Sequence, residues 1–255
     1  MKNWNWVAKG ALGLVVVATL VLTANWGRIS RLLLVNSLFA EDKIVYNFSH
    51  MSEILPSDPL PQSGEIHSWP VALSPINQTY QSSGKTIEVA AMLSELQTTA
   101  LIVIKDGTLV HEAYFKGTGP DDLRISWSMS KSFVSALTGL ALANGDIASL
   151  DDPVTKYVPA LAASAYNEVS LRDVMHMSSG VAFDEDYLAF NSDINKMGRV
   201  LALGGSLDEF SASITEQARL PGTGRQYVSI DTHVISMVLR AATGKTLQDY
   251  FVQNL

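Results

Sequence analysis

Cysteine is absent from the chain. That excludes disulfide staples, thiolate metal ligands and a thiol nucleophile. Basic residues are in deficit: 18 Lys and Arg against 25 Asp and Glu give a net charge of −7. A surface suited to phosphate backbones needs the opposite balance, so nucleic acid is not an expected partner. The 5 histidines are His50, His67, His111, His176 and His233, and no two have metal-ligand spacing. A metal site is therefore not expected, and His176 reads as a structural hydrogen-bonder. The Gly-x-Ser-x-Gly elbow of α/β-hydrolases is missing. Gly244-Lys245-Thr246 has the tail of a phosphate loop, but Leu239 stands where its first glycine belongs. No cofactor is implied.

Apolar residues are plentiful, 47% of 255. That supports a full core in one ordinary domain with an appendage. Lys9 and Arg28 enclose 18 uncharged residues, positions 10 to 27, just enough to span a bilayer as a helix. Trp4 and Trp6 precede this run and Trp26 ends it, where amphipathic rings favour the two interfaces. Segment 1–40 reads as an uncleaved membrane anchor, with a cleaved signal peptide as the alternative. The best small-residue cleavage site ends at Ala24, with bulky Leu22 two positions before it. Lys2 and Lys9 lie before the run, Arg28 and Arg31 after it. The expected placement is a single inner-membrane span with the body in the periplasm.

Segment 41–85 is rich in Pro, Ser, Asn and Gln and reads as an extended arm. Segment 86–255 reads as the domain proper. Val89, Met92, Leu93 and Leu96 predict a helix over 86–97. Ala100–Lys105 and Thr108–Phe115 around Asp106-Gly107 predict a hairpin. Phe133, Leu137 and Leu140 predict a helix ending at Asn144-Gly145. Ser170 with Asp173, Ser206 with Glu209 and Thr246 with Asp249 are capping boxes. Val234–Ala242 reads as a helix closed by Gly244. No strand is evident after Phe115, and a lone hairpin is marginal in water. The chain is accordingly read as the front part of a longer protein.

Ser128 and Lys131 are three apart, so on a helix they share a face. A serine hydroxyl is a weak nucleophile until a neighbouring base takes its proton. A buried helix start favours an alkoxide or oxyanion over an ammonium. Ser-x-x-Lys is a weak pattern by itself: Ser82-Ser83-Gly84-Lys85 repeats it and reads as a loop. On the residues alone, Ser128 stands open between a nucleophile and an ordinary serine.

The order of further motifs adds to this pattern. Trp127-Ser128-Met129-Ser130-Lys131-Ser132-Phe133 is followed by Leu150-Asp151-Asp152-Pro153-Val154 and Leu171-Arg172-Asp173-Val174-Met175-His176-Met177-Ser178-Ser179-Gly180. Pro221-Gly222-Thr223 and Tyr227-Val228-Ser229 come later. From about Tyr46 to Leu255 this succession resembles the class C β-lactamase and penicillin-binding-protein-like superfamily of serine hydrolases. It resembles most the branch of 6-aminohexanoate-dimer hydrolase, where Tyr-x-Ser stands for Tyr-x-Asn. Asp184-Glu185-Asp186-Tyr187 is similar to that branch too.

The resemblance implies an α+β fold of β-lactamase/transpeptidase type: an antiparallel sheet flanked by helices, plus a helical subdomain, with late strands missing here. It implies Ser128 as nucleophile, Lys131 as its base, Tyr227 as acid/base partner, and Ser229 bonding substrate or Lys131. Tyr187 reads either as a pocket residue or as a core or rim tyrosine, and Tyr227 by itself could simply pack at a helix start. The superfamily's third motif, a Lys- or His-led triad ending in Gly, has no match. Ser192-Asp193-Ile194 is a rival second motif with the wrong third residue and reads as a loop. The implied substrate is a small amide or ester. The alternative is a silent, membrane-anchored relative that binds peptide or cell-wall fragments.

Overall fold

The structure is a computed structural model that describes residues 4–61 and 65–255, with side chains described from position 8 onward. Lys2 and the side chains of Trp4 and Trp6 lie outside the described residues. In chain order the elements are α1 (Trp4–Ala24), α2 (Trp26–Asn36), α3 (Ile44–Ser49), α4 (Met51–Ile54), β1 (Thr79–Ser82), β2 (Lys85–Glu88), α5 (Val89–Glu95), β3 (Ala100–Lys105) and β4 (Thr108–Tyr114). Then follow α6 (Ser130–Ala143), α7 (Val154–Tyr157), α8 (Leu171–Met175), α9 (Asp193–Ala202), α10 (Leu207–Ser213), α11 (Ser229–Thr243) and α12 (Leu247–Asn254).

Local chemistry explains most boundaries. Asp106 and Gly107 have φ of 49° and 72°, the left-handed pair that joins twisted antiparallel strands. The β3–β4 register runs from Ala100 opposite Tyr114 to Lys105 opposite Thr108, with a shift between Val103 and Ile104. Ser170, Ser206 and Thr246 accept from the backbone N–H of Asp173, Glu209 and Asp249, as the capping boxes predict. Gly244 closes α11 at φ 67°.

Three expectations need correction. The predicted helix over 86–97 starts only at Val89. Residues Lys85–Glu88 pair with β1 across a Ser83-Gly84 turn at φ 49° and 76°. β-Branched Thr86 and Ile87 suit a strand, and the helical spacing begins with Val89 itself. Ser192-Asp193-Ile194 is not a loop, because Ser192 is the N-cap of α9. Gly198 weakens that helix's intrinsic propensity, and packing on α2 sustains it. His176, read as a structural hydrogen-bonder, is exposed at the end of α8, and its ring makes no hydrogen bond among the described residues.

No single helix among the described residues is long and apolar enough to cross a membrane. Ala8–Ala24 and Trp26–Asn36 form a pair bent by 67°. Within segment 41–85 lie α3, α4 and β1 as well as extended chain.

The chain divides into two compact units. One comprises Leu38–Met51 and Gln62–Ile125. It contains both hairpins, and residues 70–74 run beside β4 through bonds such as Leu109 N–H to the Pro70 carbonyl, 2.8 Å. All four named strands precede Phe115 among the described residues. Ile102 and Ile104 on β3 are exposed.

The other unit comprises Met1–Ser37, Ser52–Pro61 and Ser126–Leu255. Its centre is α11, whose Ile230, Val234, Val238 and Leu239 are buried. It packs against α6, α7, α8, α10 and α12. Leu137 and Ala141 of α6, Leu161, Tyr166 and Val174 fill the space around it. Burying each such Leu or Val contributes about 1.5–3 kcal/mol. A carboxyl shares this core: Asp231 is wholly buried. It accepts from the Tyr166 hydroxyl (2.7 Å) and the Ser179 hydroxyl (3.0 Å). Burial pushes the Asp231 pKa up to about 7, against the pull of those two bonds and with the charge of Glu185 adding to the rise.

Two outcomes follow for stability. Leu137→Ala should cost about 2–5 kcal/mol in urea unfolding, since the packed core cannot close over the gap. Asp231 should make stability depend on pH. Between the ordinary 3.8 and about 7 the folded state holds the Asp231 proton and the unfolded state does not. Its contribution is therefore full below about pH 4 and lost as pH climbs to 7. Asp231→Asn should gain on the wild type steadily over that range. A stability difference that stays constant from pH 4 to 7 would contradict this.

Candidate active site

Ser128 lies in a single 3₁₀ turn, Trp127–Met129, which runs directly into α6. Trp127 has φ 46°, the left-handed region that side chains avoid, at a cost of about 1–2 kcal/mol. The Ser130 hydroxyl donates to the Trp127 carbonyl at 2.8 Å and closes the turn. Lys131 follows one turn after Ser128, and its Nζ donates to Ser128 Oγ at 3.3 Å. Ser128 Oγ and the Tyr227 hydroxyl share a hydrogen bond of 2.5 Å. Lys131 Nζ stands 5.4 Å from the centre of the Tyr227 ring. Three residues singled out from sequence therefore meet at one point.

Tyr227 is fixed by its chain neighbours. Gln226 N–H donates to the Met177 carbonyl at 2.8 Å, and Val228 N–H to Met177 Sδ at 3.4 Å. The Gln226 side chain donates to the Phe183 carbonyl at 3.3 Å. Gly222 N–H donates to the Ser178 carbonyl at 2.9 Å. The loop that receives these bonds is itself constrained. Met177 sits at φ 56°, and Gly180 at φ 77°. A Cβ at Gly180 would lie 2.2 Å from the Arg219 carbonyl oxygen, so only glycine fits there.

Ser229 opens α11. Its hydroxyl donates to Glu185 Oε2 at 3.2 Å, and its backbone N–H donates to Glu185 Oε1. A carboxylate at the first turn of a long helix satisfies free amides and the helix's positive end. Tyr187 stands beside this pair. Burial raises its phenol pKa, a hydrogen bond with Ser229 opposes the rise, and the charges of Glu185 and Tyr227 add to it. Tyr187 remains 52% exposed, at the rim. The Ser229 hydroxyl is thus engaged with Glu185, not with Lys131.

The sheltered helix start expected from sequence is not what the fold presents. Ser128 is exposed, Tyr227 is 37% exposed and Lys131 is half-buried. The turn lies at the beginning of α6, outside the part of that helix that carries the buried Leu137 and Ala141. Sequence reasoning also assigned no role to Glu185 or Asp231. Glu185 sits in an acidic run that no spacing rule ties to Ser229. Asp231 lies before the predicted helix Val234–Ala242, next to polar Thr232 and His233, where no spacing rule marks it as buried. Among the described residues no group of His, Asp and Glu could hold a metal ion.

The Beta-lactamase family model matches residues 89–255. Over 158 residues the chain is 31% identical to the 6-aminohexanoate-dimer hydrolase of Paenarthrobacter ureafaciens, covering 60% of this chain and 40% of that protein. Among solved structures, a Bacillus anthracis protein provisionally assigned as a 6-aminohexanoate-dimer hydrolase is similar at a TM-score of 0.71 and 19% identity. The likeness covers 83% of this chain and 58% of that one. A Bacteroides dorei protein provisionally assigned as a β-lactamase is similar at a TM-score of 0.50 and 20% identity, covering 65% and 47%. The chain thus spans 40% of the curated relative and 58% of the first structural one. With a family match over residues 89–255 and a helix-rich α+β architecture, this chain belongs to the β-lactamase family.

Proposed function

We propose that this protein is a serine hydrolase that cleaves a small amide or ester through an acyl-enzyme on Ser128. The observation that carries the reading is the double engagement of one oxygen: Ser128 Oγ touches both Lys131 Nζ and the Tyr227 hydroxyl. The Ser128 proton passes to the Lys131–Tyr227 pair as Oγ attacks the carbonyl carbon. The tetrahedral intermediate then collapses, Tyr227 returns the proton to the departing amine or alcohol, and the acyl group remains on Ser128. Water attacks that ester with the same pair as base, and the acid departs. The likeness to a 6-aminohexanoate-dimer hydrolase supports an amide as substrate. Glu185 keeps Ser229 and the start of α11 in register with Tyr227. Tyr187 forms the rim against which a substrate would lie.

The amino-terminal helix is proposed as a membrane anchor with the body in the periplasm. Its support is the uncharged run between Lys9 and Arg28, with the exposed side chains of Leu12, Leu14, Val17 and Leu20. The full-length protein should stay with membranes through an alkaline carbonate wash; release into the wash would remove the proposal.

A fluorophosphonate probe should label the full-length protein at Ser128, and Ser128→Ala should lose both labelling and amide or ester hydrolysis. Tyr227→Phe should keep the fold and lower kcat by about 10²–10⁴-fold, the usual worth of a placed acid/base. Turnover that survives Ser128→Ala would reject the reading.

A further inference from the structure

Asp231 has no part in the chemistry above, yet it is a buried acid in the first turn of the helix that follows Tyr227. Its surroundings tie it to the same loop that holds Tyr227. Met177 receives the backbone amides of Gln226 and Val228, on either side of Tyr227. Two residues along that loop, Ser179 donates to Asp231 Oδ1 at 3.0 Å. Asp231 N–H in turn donates to the Val228 carbonyl at 3.2 Å. From below, the wholly buried Tyr166 donates to the same Oδ1 at 2.7 Å. Asp231 Oδ2 is buried with no hydrogen-bond partner. Leaving a buried polar atom unpaired costs about 1–3 kcal/mol, so the retention of this carboxyl in the core calls for an account. Groups of this kind collect where geometry must be fixed for function.

We infer that Asp231 is a positioning residue: its buried carboxyl locks the first turn of α11 to the 176–180 loop and to Tyr166, and so holds the Tyr227 hydroxyl on Ser128. This rests on the serine-hydrolase reading above. The clamp has three points. Gln226 and Val228 on Met177 set the backbone on both sides of Tyr227. Ser179 on Asp231 sets the helix that continues from it. Tyr166 on Asp231 fixes that helix against the core. Release of one point leaves Tyr227 free to swing with the loop, while the 185–187 rim that would meet a substrate keeps its own bonds to Ser229. The lock therefore acts on the rate of chemistry and not on binding.

The test uses the full-length protein with Asp231→Asn, which keeps the shape, and with Ser179→Ala and Tyr166→Phe, each removing one donor. Thermal unfolding establishes the temperature at which each variant is folded, and kinetics are read there. Asp231→Asn should lower kcat by about 10- to 100-fold, the scale of a misplaced reacting group. KM should stay within about threefold, and the rate of fluorophosphonate labelling at Ser128 should fall in parallel with kcat. Ser179→Ala and Tyr166→Phe should each show a smaller loss with the same kcat-only pattern, which keeps the test valid if Asp231→Asn fails to fold. Variants that melt earlier but label and turn over like the wild type would overturn the inference and leave Asp231 a structural group. Absence of Ser128 labelling in the wild type would instead strike the underlying hydrolase reading.

Discussion

The contact between the Ser128 and Tyr227 oxygens is the constraint on which the rest of this structure turns. The two residues stand 99 positions apart, and their side chains meet at 2.5 Å. No local rule of helix or turn can bring them together. What does so is the packing of α11 against α6 in one core, to which Leu137 and Ala141 of α6 and Val234 and Val238 of α11 belong. The Lys131 amine adds a second contact to the same Ser128 oxygen, and the proposed proton transfer rests on these two contacts.

The supports of this contact form a graded series. Trp127 spends conformational energy in a left-handed turn to start α6 where it does. The 176–180 loop does the same with Met177, and the acceptors on that residue then define where Tyr227 lies. Beneath both sits the hydrogen-bonded group of Tyr166, Ser179 and Asp231, each buried. Strain near the surface and polar burial below are both unfavourable alone. Each persists because the apolar core around α11 stabilises the arrangement as a whole.

Much of this was legible from the residues. Asp106-Gly107 specified its hairpin, and the three cap residues specified their helices, because turn and cap chemistry acts over a few residues. That Ser128, Lys131 and Tyr227 would be grouped was legible from the order of the motifs, and their side chains do meet. Where the reading stopped short, the cause was tertiary. Thr86 and Ile87 look helical beside Val89 until their pairing with β1 is known. Ser192 looks like a loop residue until α9 is seen packed on α2. Asp231 carries no local sign of burial, since burial of a carboxyl depends on partners 52 and 65 positions away. The Glu185–Ser229 bond spans 44 residues and leaves no spacing signature.

The 184–192 loop bears on heat as well as on chemistry. It is fastened at Asp184 by Asp193, at Glu185 by Ser229 and at Ala189 by Asn195. On either side of the last tie Leu188 is 96% exposed and Phe190 67%. The Arg199 guanidinium lies 4.3 Å from the centre of the Phe190 ring, and most of both apolar side chains faces water. Any molecule that settles over them releases ordered solvent, so its binding carries a negative heat-capacity change, whether or not a bond is ever broken.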